Sequence, residues 1–154
     1  MQNINLNDGM KELMINNDPQ RVLRWNPTDS DFCKRYIELT DYINSLRDKL
    51  SELSTHIDQI GRDVMNRPEA EVSEEARRAA DQMYELGAEA TDMLDKTFNA
   101  PIGRIVFCGA NPISVTDGGG FLLGNFLTAI SPIIEDSINQ AGRPPRKKPG
   151  RRQA

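Results

Sequence analysis

Residues 32–64 read FCKRYIELTDYINSLRDKLSELSTHIDQIGRDV. The apolar side chains fall at Phe32, Tyr36, Leu39, Ile43, Leu46, Leu50, Leu53, Ile57, Ile60 and Val64, in alternating steps of four and three. That spacing gathers them on one stripe of a helix and is the heptad pattern of a coiled-coil seam. Charged residues fill the positions between, among them Lys34, Arg35, Glu38, Asp41, Arg47, Asp48 and Glu52. The segment has no proline, and at 1.5 Å per residue it predicts a helix about 50 Å long. Gly61 is its expected weak point, at about 1 kcal/mol against alanine.

The flanks bound this helix. Pro27 biases Asn26 away from helical geometry. Thr28 or Asp29 then offers a cap, and Asp29 and Asp31 complement the helix dipole. On the far side Asn66-Arg67-Pro68 breaks the helix, and Ser73 followed by Glu74 and Glu75 predicts the start of a second one, running to about Phe98. Its seam is Ala76, Ala79, Met83, Leu86, Ala90, Met93 and Thr97, smaller in side-chain size than the first and widened by Ala80, Gly87 and Leu94. Small residues allow close approach of a partner element. The economical arrangement is an antiparallel helical hairpin.

Before the hairpin, residues 1–27 predict a β-hairpin with strands Lys11–Ile15 and Arg21–Trp25 around the turn Asn16-Asn17-Asp18-Pro19-Gln20. Two strands alone are marginal in water, so they must lean on helices or on another copy. Trp25 is expected as a lid over the junction of hairpin and helix. After the second helix, charge nearly vanishes between Ile105 and Ile134. Ile105-Val106-Phe107-Cys108 is a short apolar run, expected in the core with its thiol. Asp117-Gly118-Gly119-Gly120 leads into an apolar last helix carrying Phe121, Leu122, Leu123, Phe126, Leu127, Ile130, Ile133, Ile134 and Ile138, with a kink expected at Pro132. The fold class is therefore mainly α, with one α-rich domain over 1–142 and a disordered basic tail over 143–154.

Composition supports this. The chain has 154 residues, enough for one modest core, and only 6% aromatics, so the core is mainly aliphatic. The net charge of −4 hides a division: residues 143–154 hold six basic and no acidic side chains, leaving −10 on the rest. An acidic body argues against broad contact with nucleic acid. The first residues show neither the basic nor the apolar segment of a signal peptide, and no apolar run reaches membrane-spanning length, so a cytoplasmic setting is expected.

Catalytic chemistry finds little support. Cys33 lies near a helix start, where the dipole can lower a thiol pKa. His56, the single histidine, is 23 residues further along the same helix, about 35 Å away, so the two cannot form a dyad within one chain. One histidine and two scattered cysteines give no metal-ligand spacing. The Asp117–Gly120 run lacks a following GKS or GKT, and Asp117 would repel a phosphate there, so a flexible or capped helix start is preferred. No cofactor, metal or catalytic residue is expected, and the chain is read as a non-enzyme.

Several segments together resemble the tail assembly chaperones encoded by long-tailed phages and prophages of Gram-positive bacteria. They are Ile4-Asn5-Leu6-Asn7-Asp8-Gly9, Asn26-Pro27-Thr28-Asp29-Ser30-Asp31-Phe32, Phe98-Asn99-Ala100-Pro101, the Asn111-Pro112 turn and Gly124-Asn125-Phe126-Leu127. The resemblance covers about residues 1–140. It implies a viral, non-catalytic chaperone that coats the tape measure protein, keeps its helices soluble and brings tail tube subunits to it, in the host cytoplasm. The alanine- and glycine-rich second helix and the basic tail depart from that pattern.

On the residues themselves, the 32–64 seam is either the core of the intramolecular hairpin or a surface for self-association or a partner, and its length and regularity favour the latter. Leu39, Ile43, Leu46, Leu50 and Leu53 are its expected contact stripe, with Phe121, Leu122, Phe126 and Leu127 completing the core or a second face. A homo-oligomer is expected. The competing reading is an oligomeric helical regulator or nucleic-acid-associated protein using Arg146, Lys147, Lys148, Arg151 and Arg152. That tail has no aromatic residue to stack on bases.

Overall fold

The computed structural model describes residues 1–66 and 73–140, with the backbone alone at 54, 57, 59, 60, 63 and 64. The elements run β1 (Lys11–Ile15), β2 (Asp18–Trp25), α1 (Ser30–Asn66), α2 (Glu74–Phe98), α3 (Ile102–Ile105) and α4 (Leu122–Gln140). The fold is mainly helical with one small N-terminal antiparallel sheet.

The β-hairpin forms where expected, but its turn is tighter. Asn16 and Asn17 both take left-handed backbone angles (φ 52° and 56°), which makes a two-residue turn whose twist suits the flanking strands. Asp18, Pro19 and Gln20 belong to β2 rather than to the turn. Ile15 pairs with Asp18 while Met14 pairs with Val22, so β2 bulges between them. Pro19 sits in that bulge, where its missing N–H costs the ladder nothing. Arg21 follows, its guanidinium donating from Nε to the Ile105 carbonyl at 2.9 Å and from Nη2 to the Val106 carbonyl at 2.5 Å. This fork holds the sheet against the end of α3.

Asp29 is the residue that caps α1, its carboxylate accepting from the Asp31 N–H at 3.0 Å. The helix runs unbroken through Gly61. Ser73 caps α2 by accepting from the Ala76 N–H at 3.1 Å, and Asn99 in left-handed geometry ends it. The two helices run antiparallel. Phe32 and Leu39 of α1 pack with Leu94 and Phe98 near the end of α2, while Leu46, Leu50 and Leu53 pack with Leu86 and Ala90 further back. Arg35 Nε donates to the Thr97 carbonyl at 3.1 Å across the same interface.

Phe98 anchors the main core. Its ring lies 6.3 Å from Trp25, 5.6 Å from Phe32 and 5.7 Å from Phe126, joining the β-hairpin, α1 and α4 around the end of α2. Trp25 is a full core member at 1% exposure rather than a lid. On α4, Leu123, Phe126, Ile130 and Ile134 supply the buried stripe at helical spacing. Pro132 lies inside this helix and removes one ladder donor.

The segment between α2 and α4 was the least legible. Cys108 is exposed, not core, because its backbone turns into the left-handed region (φ 51°) directly after Phe107, which takes the buried position. Asn111 presses its amide against Gly87 of α2 so closely that a Cβ there would lie 2.2 Å from Asn111 Oδ1. The amide donates to the Met83 carbonyl at 3.1 Å and accepts from the Ile113 N–H at 3.0 Å. Ile113, fully buried, drops into the cluster of Leu46, Leu50 and Leu86. At Gly87 the small-residue face of α2 is thus met by this chain's own loop.

The glycine run 118–120 closes a small loop. Thr116 donates its N–H to the Gly120 carbonyl at 2.8 Å, and Val115 bridges Phe121. The first N–H groups of α4 are satisfied by backbone: Leu122 donates to Ser114 at 2.9 Å and Leu123 to Pro112 at 2.7 Å. The helix start is capped by its own chain.

Candidate protein-binding groove

The expected contact stripe on α1 lies inside the molecule. Leu39, Leu46, Leu50 and Leu53 are all buried and Ile43 is half-buried, covered by α2, Ile113 and α4. Another molecule reaches these side chains only if α1 and α2 part. On α4, Phe126 is likewise buried, while Phe121, Leu122 and Leu127 are half-buried. Ile57, Ile60 and Val64 have no described side chains, so the far end of the seam is outside the described part. The basic positions Arg146, Lys147, Lys148, Arg151 and Arg152, the disorder expected for 143–154 and the break at Arg67-Pro68 also lie outside the described residues.

Apolar surface open to a partner gathers elsewhere. A groove of about 350 Å³ runs between β1 and α4. Leu13, Met14 and Ile15 form one wall, Ala129, Ile130 and Ile133 the other, and Val106 and Phe107 close the space between. Met14 and Ile133 stand at the rim, 55% and 37% exposed. Arg21 is the only titratable side chain in the lining, and its guanidinium is already committed to two carbonyls. Asn16 and Asn125 add polar atoms. Such a lining suits apolar side chains with a few backbone or amide contacts.

Among the described residues no three His, Cys, Asp or Glu side chains come together as a metal site. Cys33 and His56 sit on one unbroken helix, as far apart as their spacing requires. The Tyr42 phenol, between α1 and α2, is pushed up to about 12 by burial and then by the neighbouring Glu89 carboxylate. Among the described residues its buried oxygen has no partner in hydrogen-bond geometry, so proximity of charge rather than a formed bond is what Glu89 contributes.

No protein-family model, no curated protein and no solved structure matches this chain.

Sequence reasoning singled out Leu122 and Phe126, which do line the groove, but missed Leu13, Met14 and Ile133 as wall and rim. A signal existed for each. Leu13 and Ile15 alternate with Met14 along the strand, which leaves Met14 on the outer side. Ile133 lies at the margin of the Leu123, Phe126, Ile130 and Ile134 stripe, about 20° round the helix from Phe126, which leaves it part-exposed at the rim. Two of the segments that carry the resemblance also meet in space. Asn26 Nδ2 donates to the Asp8 carbonyl at 2.7 Å, and Gly9 (φ 77°) packs so near Thr28 that a Cβ would lie 2.5 Å from its hydroxyl. Among the described residues no helix is long and apolar enough to cross a membrane.

Proposed function

We propose that this chain is a non-catalytic assembly chaperone of the phage-tail kind, acting in the host cytoplasm. It binds apolar helical segments of the tape measure protein, keeps them soluble and helps bring tail tube subunits to them. The observation that carries the reading is the open apolar groove between β1 and α4, with Met14 and Ile133 exposed at its rim. Burying one leucine- or methionine-sized side chain there is worth about 1.5–3 kcal/mol. Single contacts of that size release readily, while many copies along a long partner hold it collectively. The net charge of −10 outside residues 143–154 keeps a coated partner in solution.

The test is co-expression with the tape measure protein of the same genome. The soluble fraction of that protein should rise several-fold with the wild-type chain. It should fall back with the M14E/I133E variant, whose circular dichroism should be unchanged because both side chains are exposed. If the wild-type chain leaves tape measure solubility unaltered, the chaperone reading fails. If the variant performs as wild type, the groove is not the contact.

A further inference from the structure

Three consecutive residues of β1, Leu13, Met14 and Ile15, line the groove. Side chains alternate between the two faces of a strand, so three in a row lining one groove place it at the margin of the strand rather than over one face. That edge is free. β1 pairs with β2 alone, and no other backbone hydrogen bond from Lys11–Ile15 is made among the described residues. The groove therefore presents apolar side chains beside a row of unpaired backbone groups. A segment that satisfies both is extended, with apolar side chains at every second position.

This chain carries such a segment. Asn3-Ile4-Asn5-Leu6-Asn7 alternates strictly, has no charged side chain and matches the five residues of β1 in length. Ile4 and Leu6 are 83% and 75% exposed. The arm is fastened to its own body at its base. Asp8 accepts from Asn26 through its carbonyl and from the Met10 N–H through its carboxylate, and the left-handed Gly9 sets the turn. With Ile4 and Leu6 left uncovered by their own body, the apolar side of the arm is offered to another molecule.

We infer that, when no tail partner is bound, the groove of one copy is occupied by residues 3–7 of a second copy, added as a strand to the edge of β1. This rests on the reading of the groove as a protein-binding site and names its resting occupant. Self-occupation shields the apolar surface, and a tape measure helix displaces the arm.

Sedimentation velocity over a concentration series, on the full chain, tests it. Wild type should self-associate with concentration. I4E/L6E has an altered arm and an intact groove, and I133E the reverse. Each alone should associate at least about tenfold more weakly, and an equimolar mixture of the two should recover association through one intact arm and one intact groove. Wild type that stays monomeric throughout, I4E/L6E that associates like wild type, or a mixture no better than its components would each overturn the inference. The two readings separate in co-expression. I4E/L6E should still solubilise the tape measure protein; if it does so while associating like wild type, only the arm exchange falls. Arm-dependent association without any effect on tape measure solubility removes the chaperone reading and leaves the exchange standing.

Discussion

Replacing Gly87 by alanine should destabilise this protein, although the same change in an exposed helix would stabilise it. Alanine in place of a mid-helix glycine gains about 1 kcal/mol of helix propensity. Here the new Cβ would lie 2.2 Å and 2.3 Å from the Asn111 amide oxygen and nitrogen. The amide must leave. The bond to the Met83 carbonyl is then lost, at about 0.5–1.5 kcal/mol. Ile113 is fully buried, so its N–H loses its Asn111 acceptor without water to replace it, at about 1–3 kcal/mol. Added disturbance of the Ile113 side chain among Leu46, Leu50 and Leu86 brings the expected net loss to about 2 kcal/mol, or about 4–8 °C in Tm for a chain of this size. Urea and thermal unfolding followed by far-ultraviolet circular dichroism measure this directly. The N111A single variant and the G87A/N111A double variant complete a cycle. Without the amide there is no clash, so the double variant should be about 1 kcal/mol more stable than N111A. A G87A protein that melts at or above wild type would refute the seating of Asn111 on α2.

Two further outcomes follow from the packing. Leu46→Ala should cost about 2–5 kcal/mol in urea unfolding because Leu46 is buried between the helices, whereas Ile37→Ala, on the exposed side of the same helix, should stay within about 0.5 kcal/mol of wild type; equal effects would show that the seam is not internal. The Tyr42 phenol has a folded-state pKa raised from 10.0 to about 12, so the folded chain keeps a proton that the unfolded chain gives up. Stability should be insensitive to this group below pH 10 and fall between pH 10 and about 12, and Tyr42→Phe should flatten that alkaline decline in a pH series of urea titrations.

Two kinds of residue governed how much could be read from the sequence. Local signals were legible because their partners are near in the chain. Ser73 caps α2 through a bond three residues away, Asp29 caps α1 through one two residues away, and the strand boundaries follow from alternation and a turn. Pro19 has the look of turn punctuation, which lengthens the turn expected around Asn16-Asn17; in the chain it occupies a bulge, a feature set by pairing across the sheet. Cys108 ends an apolar run and so has the pattern of a core residue, yet one left-handed residue reverses which side faces inward. Asn111 and Ile113 carried no periodic signal at all, since their roles depend on Gly87 and Leu50, far away in sequence.

The candidate site divides the same way. A regular stripe announces that a helix buries one side, but periodicity is silent on whether the covering surface belongs to the same chain. The sequence by itself determined a long amphipathic helix from the four-three spacing, a second helix with a small-residue face, a short hairpin and an apolar last helix, because each follows from the geometry of a single element. Only the tertiary structure decided that Leu39, Leu46, Leu50 and Leu53 are enclosed by α2 and the Ile113 loop, and that the open apolar surface lies between β1 and α4. Which faces meet depends on the summed packing of residues distant in the chain, and no local pattern encodes that sum.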